Sequence, residues 1–353
     1  MQDIDRQPDI QGNAKDRAAS SRLLLSTLSS ESDPLLSIAI PTFRRFELLT
    51  EALESVFNLD FDIPVEIIVV DNDPGNDATA MSEMARFKGK SFAYYKNHDN
   101  LGMFGNWNQC LGLARGRYVT ILHDDDLLLP AFASQVNRRL GARHFAGDIL
   151  GFRVSILDER EGQSIESHAG RRSSLVRCLS RLRARFGVET TTMTLNVFFF
   201  ANLFCGTLGV LIRREVALKI GGFDARWNPI ADYEFWCRWL TLVGDIPLAK
   251  VKVGMYRMRQ NESMRADVRR AYVTRSYALR RKLIDDGAVP RVFDRLLVPL
   301  SEMQELMIGH DWRPASAGPI PLLHRTRVLI WRGLAYLIAR FAPAGPLKRR
   351  IRV

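Results

Sequence analysis

Four cysteines in 353 residues, none paired as C-x-x-C, give neither a zinc ribbon nor a redox motif. Cys110, Cys178, Cys205 and Cys237 stand far apart in apolar or helical surroundings and read as buried free thiols of a reducing compartment. His98, His144, His168, His310 and His324 make no metal-ligand spacing. No G-x-G-x-x-G follows the first strand and no Walker P-loop occurs, which argues against a dinucleotide or a P-loop nucleotide. No clean run of 18 apolar residues is present, so no transmembrane helix is expected. The nearest stretch, Leu195 to Ile212, is broken by Asn196, Asn202 and two glycines. Leu23–Leu25 is too short for the core of a secretory leader, and none is expected. Acidic residues are missing altogether after Asp311.

What is present is an ordinary globular composition, 46% hydrophobic and 25% charged, with an unusual net charge of +11. Such a charge suits a polyanionic partner: nucleic acid, an anionic membrane or a phosphorylated substrate. From residue 35 onward, buried-type strands alternate with helices. Leu36–Ile40 reads as a strand, Phe46–Asn58 as a helix, Val65–Val70 as a strand and Ala78–Phe87 as a helix. Phe92–Lys96 is a third strand, Asn106–Ala114 a helix and Tyr118–Leu122 a fourth strand. The alternation predicts an α/β fold with a doubly wound, mostly parallel sheet that binds its ligand at the carboxyl edge. Two strands end in acid, at Asp71 and at Asp124-Asp125-Asp126. Three adjacent carboxylates repel one another, and a hard divalent cation such as Mg2+ or Mn2+ relieves that repulsion. The plainer reading is a polar turn capping the next helix. His123, just before the cluster, reads more readily as a packed strand-end residue than as a titrating one.

Six motifs in order carry a resemblance: Ser37-Ile-Ala-Ile-Pro-Thr-Phe-Arg44, Ile68-Val-Val-Asp-Asn72, Asn100-Leu-Gly-Met-Phe-Gly-Asn-Trp-Asn108, His123-Asp-Asp-Asp126, Gly221-Gly-Phe-Asp224 and Ala231-Asp-Tyr-Glu-Phe-Trp236. Together they resemble the family 2 inverting glycosyltransferases of the GT-A fold, over about residues 35–265. The resemblance implies a nucleotide-diphosphate sugar donor, bound by Pro41, Thr42, Arg44, Asp71, Asn106, Asp124 and Asp125. It implies a cation held by Asp126 and Asp124, and Asp232 as catalytic base. Relatives often place a histidine where Arg259 stands; a protonated arginine cannot ligate a metal but suits a diphosphate, so metal dependence is less firmly implied. The chemistry is consistent with this. One carboxylate takes the acceptor's proton, and direct displacement inverts the anomeric centre without a second carboxylate nucleophile. Asp232 opens a helix whose dipole favours its ionised form; a simple N-cap is the competing reading, and Glu234 is the weaker base candidate.

The expected organisation is a loosely attached or disordered arm over 1–34 and a catalytic domain over 35–265. The domain divides into a donor half, 35–130, and an acceptor half, 131–265, with an insertion at 159–200. A basic helical region, 266–353, follows. Phe198-Phe199-Phe200 reads as core rather than as cleft lining. Arg171–Arg185 is either a solvated helix face or a lipid contact. Leu323, Ile330, Leu334, Leu337 and Phe341 share one side of a helix, with Arg325, Arg332 and Arg340 opposite, ahead of a Lys348–Arg352 tail. That pattern either lies in an anionic membrane interface or packs on the catalytic domain. The expected function is transfer of a hexose or deoxyhexose to a glycan or lipid-linked hydroxyl in O-antigen, capsule or exopolysaccharide synthesis. The expected place is the cytoplasm, with attachment to the inner face of the membrane left open. A nucleotidyl or phosphoryl transferase could use the same carboxylates. A basic nucleic-acid-binding protein explains the charge but not acids gathered at a sheet rim, where they repel phosphates; no nucleic-acid partner is expected.

Overall fold

The computed structural model describes residues 20–28, 33–141, 145, 147–159, 165–166, 190–259 and 265–311, with 323, 326 and 330. The strands are β1 (Ser21–Ser26), β2 (Leu36–Thr42), β3 (Val65–Asp71), β4 (Ala93–Asn97), β5 (Tyr118–Ile121), β6 (Leu127–Leu128), β7 (Ile149–Asp158), β8 (Ile165–Glu166), β9 (Thr190–Met193), β10 (Val210–Arg213) and β11 (Ile246–Met258). The α-helices are α1 (Phe46–Phe57), α2 (Asp77–Met84), α3 (Gly102–Leu113), α4 (Pro130–Val136), α5 (Leu195–Phe200), α6 (Arg214–Lys219), α7 (Ala231–Leu242), α8 (Ala266–Asp285) and α9 (Leu297–Asp311). The chain divides into two compact units that do not follow chain order. One is Met1–Leu150 with Thr207–Asp224; the other is Gly151–Gly206 with Ala225–Val353.

The first unit is built on strands ordered β1-β4-β3-β2-β5-β10. The central four are parallel, and β1 and β10 flank them antiparallel. Every residue of β2 is buried, as a strand covered on both faces must be. Helix α1 lays Leu49, Ala52, Leu53 and Val56 against the sheet at the spacing of one helical stripe. Gly116 lets the turn before β5 pass close to β2: a Cβ there would stand 2.6 Å from the Ser37 backbone nitrogen. The arm expected over 1–34 carries a strand within its described part. Ser21–Ser26 form an edge strand registered on β4, and Thr27 N–H extends the pairing to Phe92 O at 2.9 Å. Three leucines between serines supply enough β character to add a strand to an existing edge, although too little to stand alone.

In the second unit β7 runs parallel to β11, β9 antiparallel to β11 and β8 antiparallel to β7. Helix α7 is buried on nearly every side, with Tyr233, Phe235, Trp236 and Trp239 at 0% exposure. Phe198, Phe199 and Phe200 are core, as expected. The three phenylalanines end α5, whose last carbonyls have no partner within the helix. Arg280, on α8 and 1% exposed, closes that end: Nε donates to Phe199 O at 2.7 Å and Nη2 to Phe200 O at 3.3 Å. Its Nη1 donates to Gln304 Oε1 at 2.7 Å, and the guanidinium lies 5.9 Å over the Tyr233 ring. Tyr233 in turn donates to Phe198 O. No described helix is long and apolar enough to cross a membrane. The Arg171–Arg185 cluster and most of the expected 323–341 helix lie outside the described residues; Leu323 and Ile330 are helical, 69% and 61% exposed.

Candidate active site

Parallel pairing carries the ends of three strands to one rim of the first unit. Thr42 of β2 pairs with Asp71 of β3, and Ala39 pairs with Ile121 of β5, three residues before Asp124. The acidic cluster is not the cap of the helix that follows. Helix α4 begins only at Pro130, and its N-cap Leu129 makes no side-chain capping hydrogen bond. The carboxylates are held instead by β2 and the turn after it. Thr42 Oγ1 donates to Asp124 Oδ2 at 2.8 Å, and Arg45 Nη1 reaches Asp125 Oδ2 at 3.1 Å and Asp124 Oδ1 at 3.7 Å. Burial, reinforced by the Asp125 charge, pushes the Asp124 carboxyl up to about 6 against the pull of Arg45 and Thr42.

Asp126 is fully buried and its Oδ2 lies 3.2 Å from His123 Nδ1. Ligand atoms of His123, Asp125 and Asp126 all lie within 4.8 Å of one another. Two hard carboxylates and one imidazole form a donor set suited to Mg2+ or, with the nitrogen, Mn2+. Asp124, expected to ligate with Asp126, does not belong to this group; its oxygens are turned to Thr42 and Arg45. Burial disfavours the charged His123 ring, but the hydrogen bond to Asp126 and the charges of Asp126, Asp125 and Asp124 outweigh it and raise its pKa.

The other motifs of the first unit shape the same rim. Asn106 donates to Val70 O and accepts from Asn97, both at 2.9 Å. Asn97 also donates to Asn72 Oδ1 at 2.9 Å, so an amide chain ties β3, β4 and α3 together. Trp107 stacks on His123, centroids 4.7 Å apart at 18°, and meets the edge of Phe223 at 5.2 Å. Asn108 clamps the Gly-Gly-Phe turn by accepting from Phe223 N and donating to Phe223 O, each at 2.8 Å. Gly222 is required there: its φ is +64 and a Cβ would run into Asn108 Oδ1.

Asp71 is 1% exposed and already holds three partners. Oδ1 accepts from Asp73 N at 2.9 Å, and Oδ2 accepts from Tyr94 OH at 2.9 Å and from Lys96 Nζ at 3.1 Å. Next to it, the Arg44 hydrogen bond holds the Asp73 carboxyl down to about 2; Nε–Oδ2 is 3.0 Å. Arg44 sits at φ 58, a left-handed residue that turns the chain out of β2 after Pro41 and Thr42. Its side chain stays 62% exposed.

Asp232 and Arg259 belong to the second unit. Asp232 is 8% exposed in the first turn of α7, whose N-cap is Ile230, so its carboxylate is not a simple cap. Asn202 Nδ2 donates to Asp232 Oδ2 at 2.9 Å. Asn202 Oδ1 is occupied by Phe204 N–H at 3.2 Å, which settles which end of the amide faces Asp232. Glu234 is held by Arg238 through two 2.8 Å bonds. Arg259 follows β11 and is exposed. Asn202, Thr207, Tyr94 and Lys96 stand in no motif of the sequence that marks them as site residues. Each comes from a segment distant from its partner, and only Tyr94 and Lys96, two apart on one strand face, left a trace.

The family profile described as Glycosyl transferase family 2 matches residues 37–217. An uncharacterized protein of Mycobacterium tuberculosis (strain CDC 1551 / Oshkosh), MT1568, is 27% identical over 206 residues, 58% of this chain and 61% of its own length. The GalNAc(5)-diNAcBac-PP-undecaprenol beta-1,3-glucosyltransferase of Campylobacter jejuni is 33% identical over 141 residues, 39% of this chain and 43% of its own length. The chain thus spans under two thirds of either relative. Among solved structures, S. aureus TarS 1-349 in complex with UDP-GlcNAc is similar with a TM-score of 0.51 at 14% identity, over 87% of this chain and 81% of that one.

Proposed function

The chain belongs to glycosyl transferase family 2 and has the GT-A fold, and from that premise we propose that it transfers a sugar, with inversion, from a nucleoside-diphosphate sugar to a hydroxyl. The acceptor we propose is a glycan or lipid-linked saccharide of a bacterial surface polysaccharide; the undecaprenol-linked acceptor in the name of the Campylobacter relative supports that class. The observation that carries the reading is the rim of the first unit, where Thr42, Asp71 and Asp124–Asp126 end adjacent parallel strands.

In this reading Asp232 accepts the proton of the acceptor hydroxyl as its oxygen bonds to the anomeric carbon. The bond from that carbon to the diphosphate oxygen breaks, and the nucleoside diphosphate leaves with the electron pair. Asn202 holds one carboxylate oxygen of Asp232, so the other has a defined direction. Asp126 and Asp125, with His123 beside them, would hold a divalent cation that neutralises charge on the diphosphate. Arg44, exposed after β2, suits the phosphates. Mixing the full chain with a panel of uridine, thymidine and guanosine diphosphate sugars, with and without Mn2+, tests this. Nucleoside diphosphate release from one donor, rising with acceptor and falling with EDTA, is the expected result; no release from any donor sinks the proposal.

We extend the proposal to an anionic membrane surface beside the acceptor, supported by the exposed apolar side chains of Leu323 and Ile330. Removing about the last thirty residues is expected to abolish pelleting with anionic liposomes. Unchanged pelleting would discard the extension.

A further inference from the structure

His123 is held by more than its neighbour in sequence. Thr207, fully buried just before β10, gives its single hydroxyl hydrogen to Ile121 O at 3.0 Å. The same oxygen lies 3.1 Å from His123 Nε2. With its hydrogen committed, Thr207 can only accept there, so Nε2 is the protonated ring nitrogen. The other nitrogen, Nδ1, is then turned to the side of Asp126, 3.2 Å from Oδ2, inside the group formed with Asp125. Stacking on Trp107 fixes the tilt of the ring, and Trp107 is itself wedged by Phe104 at 4.9 Å and Phe223 at 5.2 Å. Without a cation a proton on Nδ1 is held by Asp126; a cation entering among His123, Asp125 and Asp126 takes that proton's place, while Nε2–H stays on Thr207.

We infer that His123 is a ligand of the divalent cation through Nδ1, and that Thr207 is a positioning residue that sets the tautomer for it. This rests on the cation of the proposed function. Partners of this kind orient a metal-bound imidazole, and losing one costs about 10–100-fold in metal affinity. The group therefore has three ligands from one loop, Nδ1 and the carboxylates of Asp125 and Asp126, and a polar support from a segment about eighty residues away.

The test uses the full chain and Mn2+ alone, with bound ion counted by electron paramagnetic resonance and its ligands read by pulsed measurement. The wild type is expected to show a 14N coupling of imidazole that disappears in His123→Gln. Thr207→Val is expected to weaken Mn2+ binding by about tenfold or more, while Thr207→Ser, which keeps the hydroxyl, restores it; thermal melts confirm that each variant folds. Mn2+ bound with no nitrogen coupling overturns the inference and leaves the carboxylate-held cation standing. Wild-type protein that binds no Mn2+ overturns both, and Thr207→Val binding like the wild type removes Thr207 from the assignment.

Discussion

Replacing Asp126 with asparagine is expected to leave a folded protein whose sugar transfer is lower by on the order of 10^3-fold. Asp126 is fully buried and closes the loop through its backbone N–H to His123 O at 3.1 Å, which the substitution keeps. Asparagine has nearly the same shape, and its carbonyl can still face His123. What it removes is a full negative charge from the three-residue group within 4.8 Å. Stability measured by urea unfolding should change little, while kcat from nucleoside diphosphate release collapses and Mn2+ affinity falls with it. An Asp126→Asn protein with wild-type turnover would take the cation away from this residue.

The second large effect is expected at Asp232. Asp232→Asn should reduce kcat by roughly 10^2–10^4-fold, the range for loss of a positioned base, with the donor KM little altered. The donor contacts proposed above lie on the first unit, whereas Asp232 is on α7 of the second. The amide oxygen of the replacement can still accept from Asn202 Nδ2, so the helix start is not disturbed. Turnover measured at saturating donor and acceptor separates this from a binding defect. A variant that loses affinity for donor but keeps kcat would make Asp232 a binding residue and leave the base unassigned.

The regular part of this fold was readable because buried parallel strands write themselves as unbroken apolar runs. Leu36–Thr42 and Val65–Asp71 were placed within two residues for that reason. Their acidic ends were readable because carboxylates at the close of such runs have no packing role. Edge strand β1 was hidden: six residues flanked by polar sequence acquire strand character only from β4. The partners of the acids were hidden for a different cause. Asn202 meets Asp232 across thirty positions and Thr207 meets His123 across eighty-four, and nothing in a one-dimensional pattern pairs them. Arg280 shows the limit most clearly. It reads like Arg269, Arg270, Arg275 and Arg281 on the same helix, and only the fold singles it out, at 1% exposure. The motif Asn100–Asn108 was recognised as a unit, but the separate tasks of Asn106, Trp107 and Asn108 follow from what each touches.

Arg280 also bears on how this chain can be shortened. A recombinant fragment ending near 265, where the composition turns basic, would discard the guanidinium that seals α5 and lies over Tyr233, the residue next to Asp232. Gln304, which grips the far side of that guanidinium and anchors to Ser276, extends the segment that must be kept into α9. A truncation that preserves these contacts therefore keeps the arginine-rich α8 as scaffold, and α9 with it.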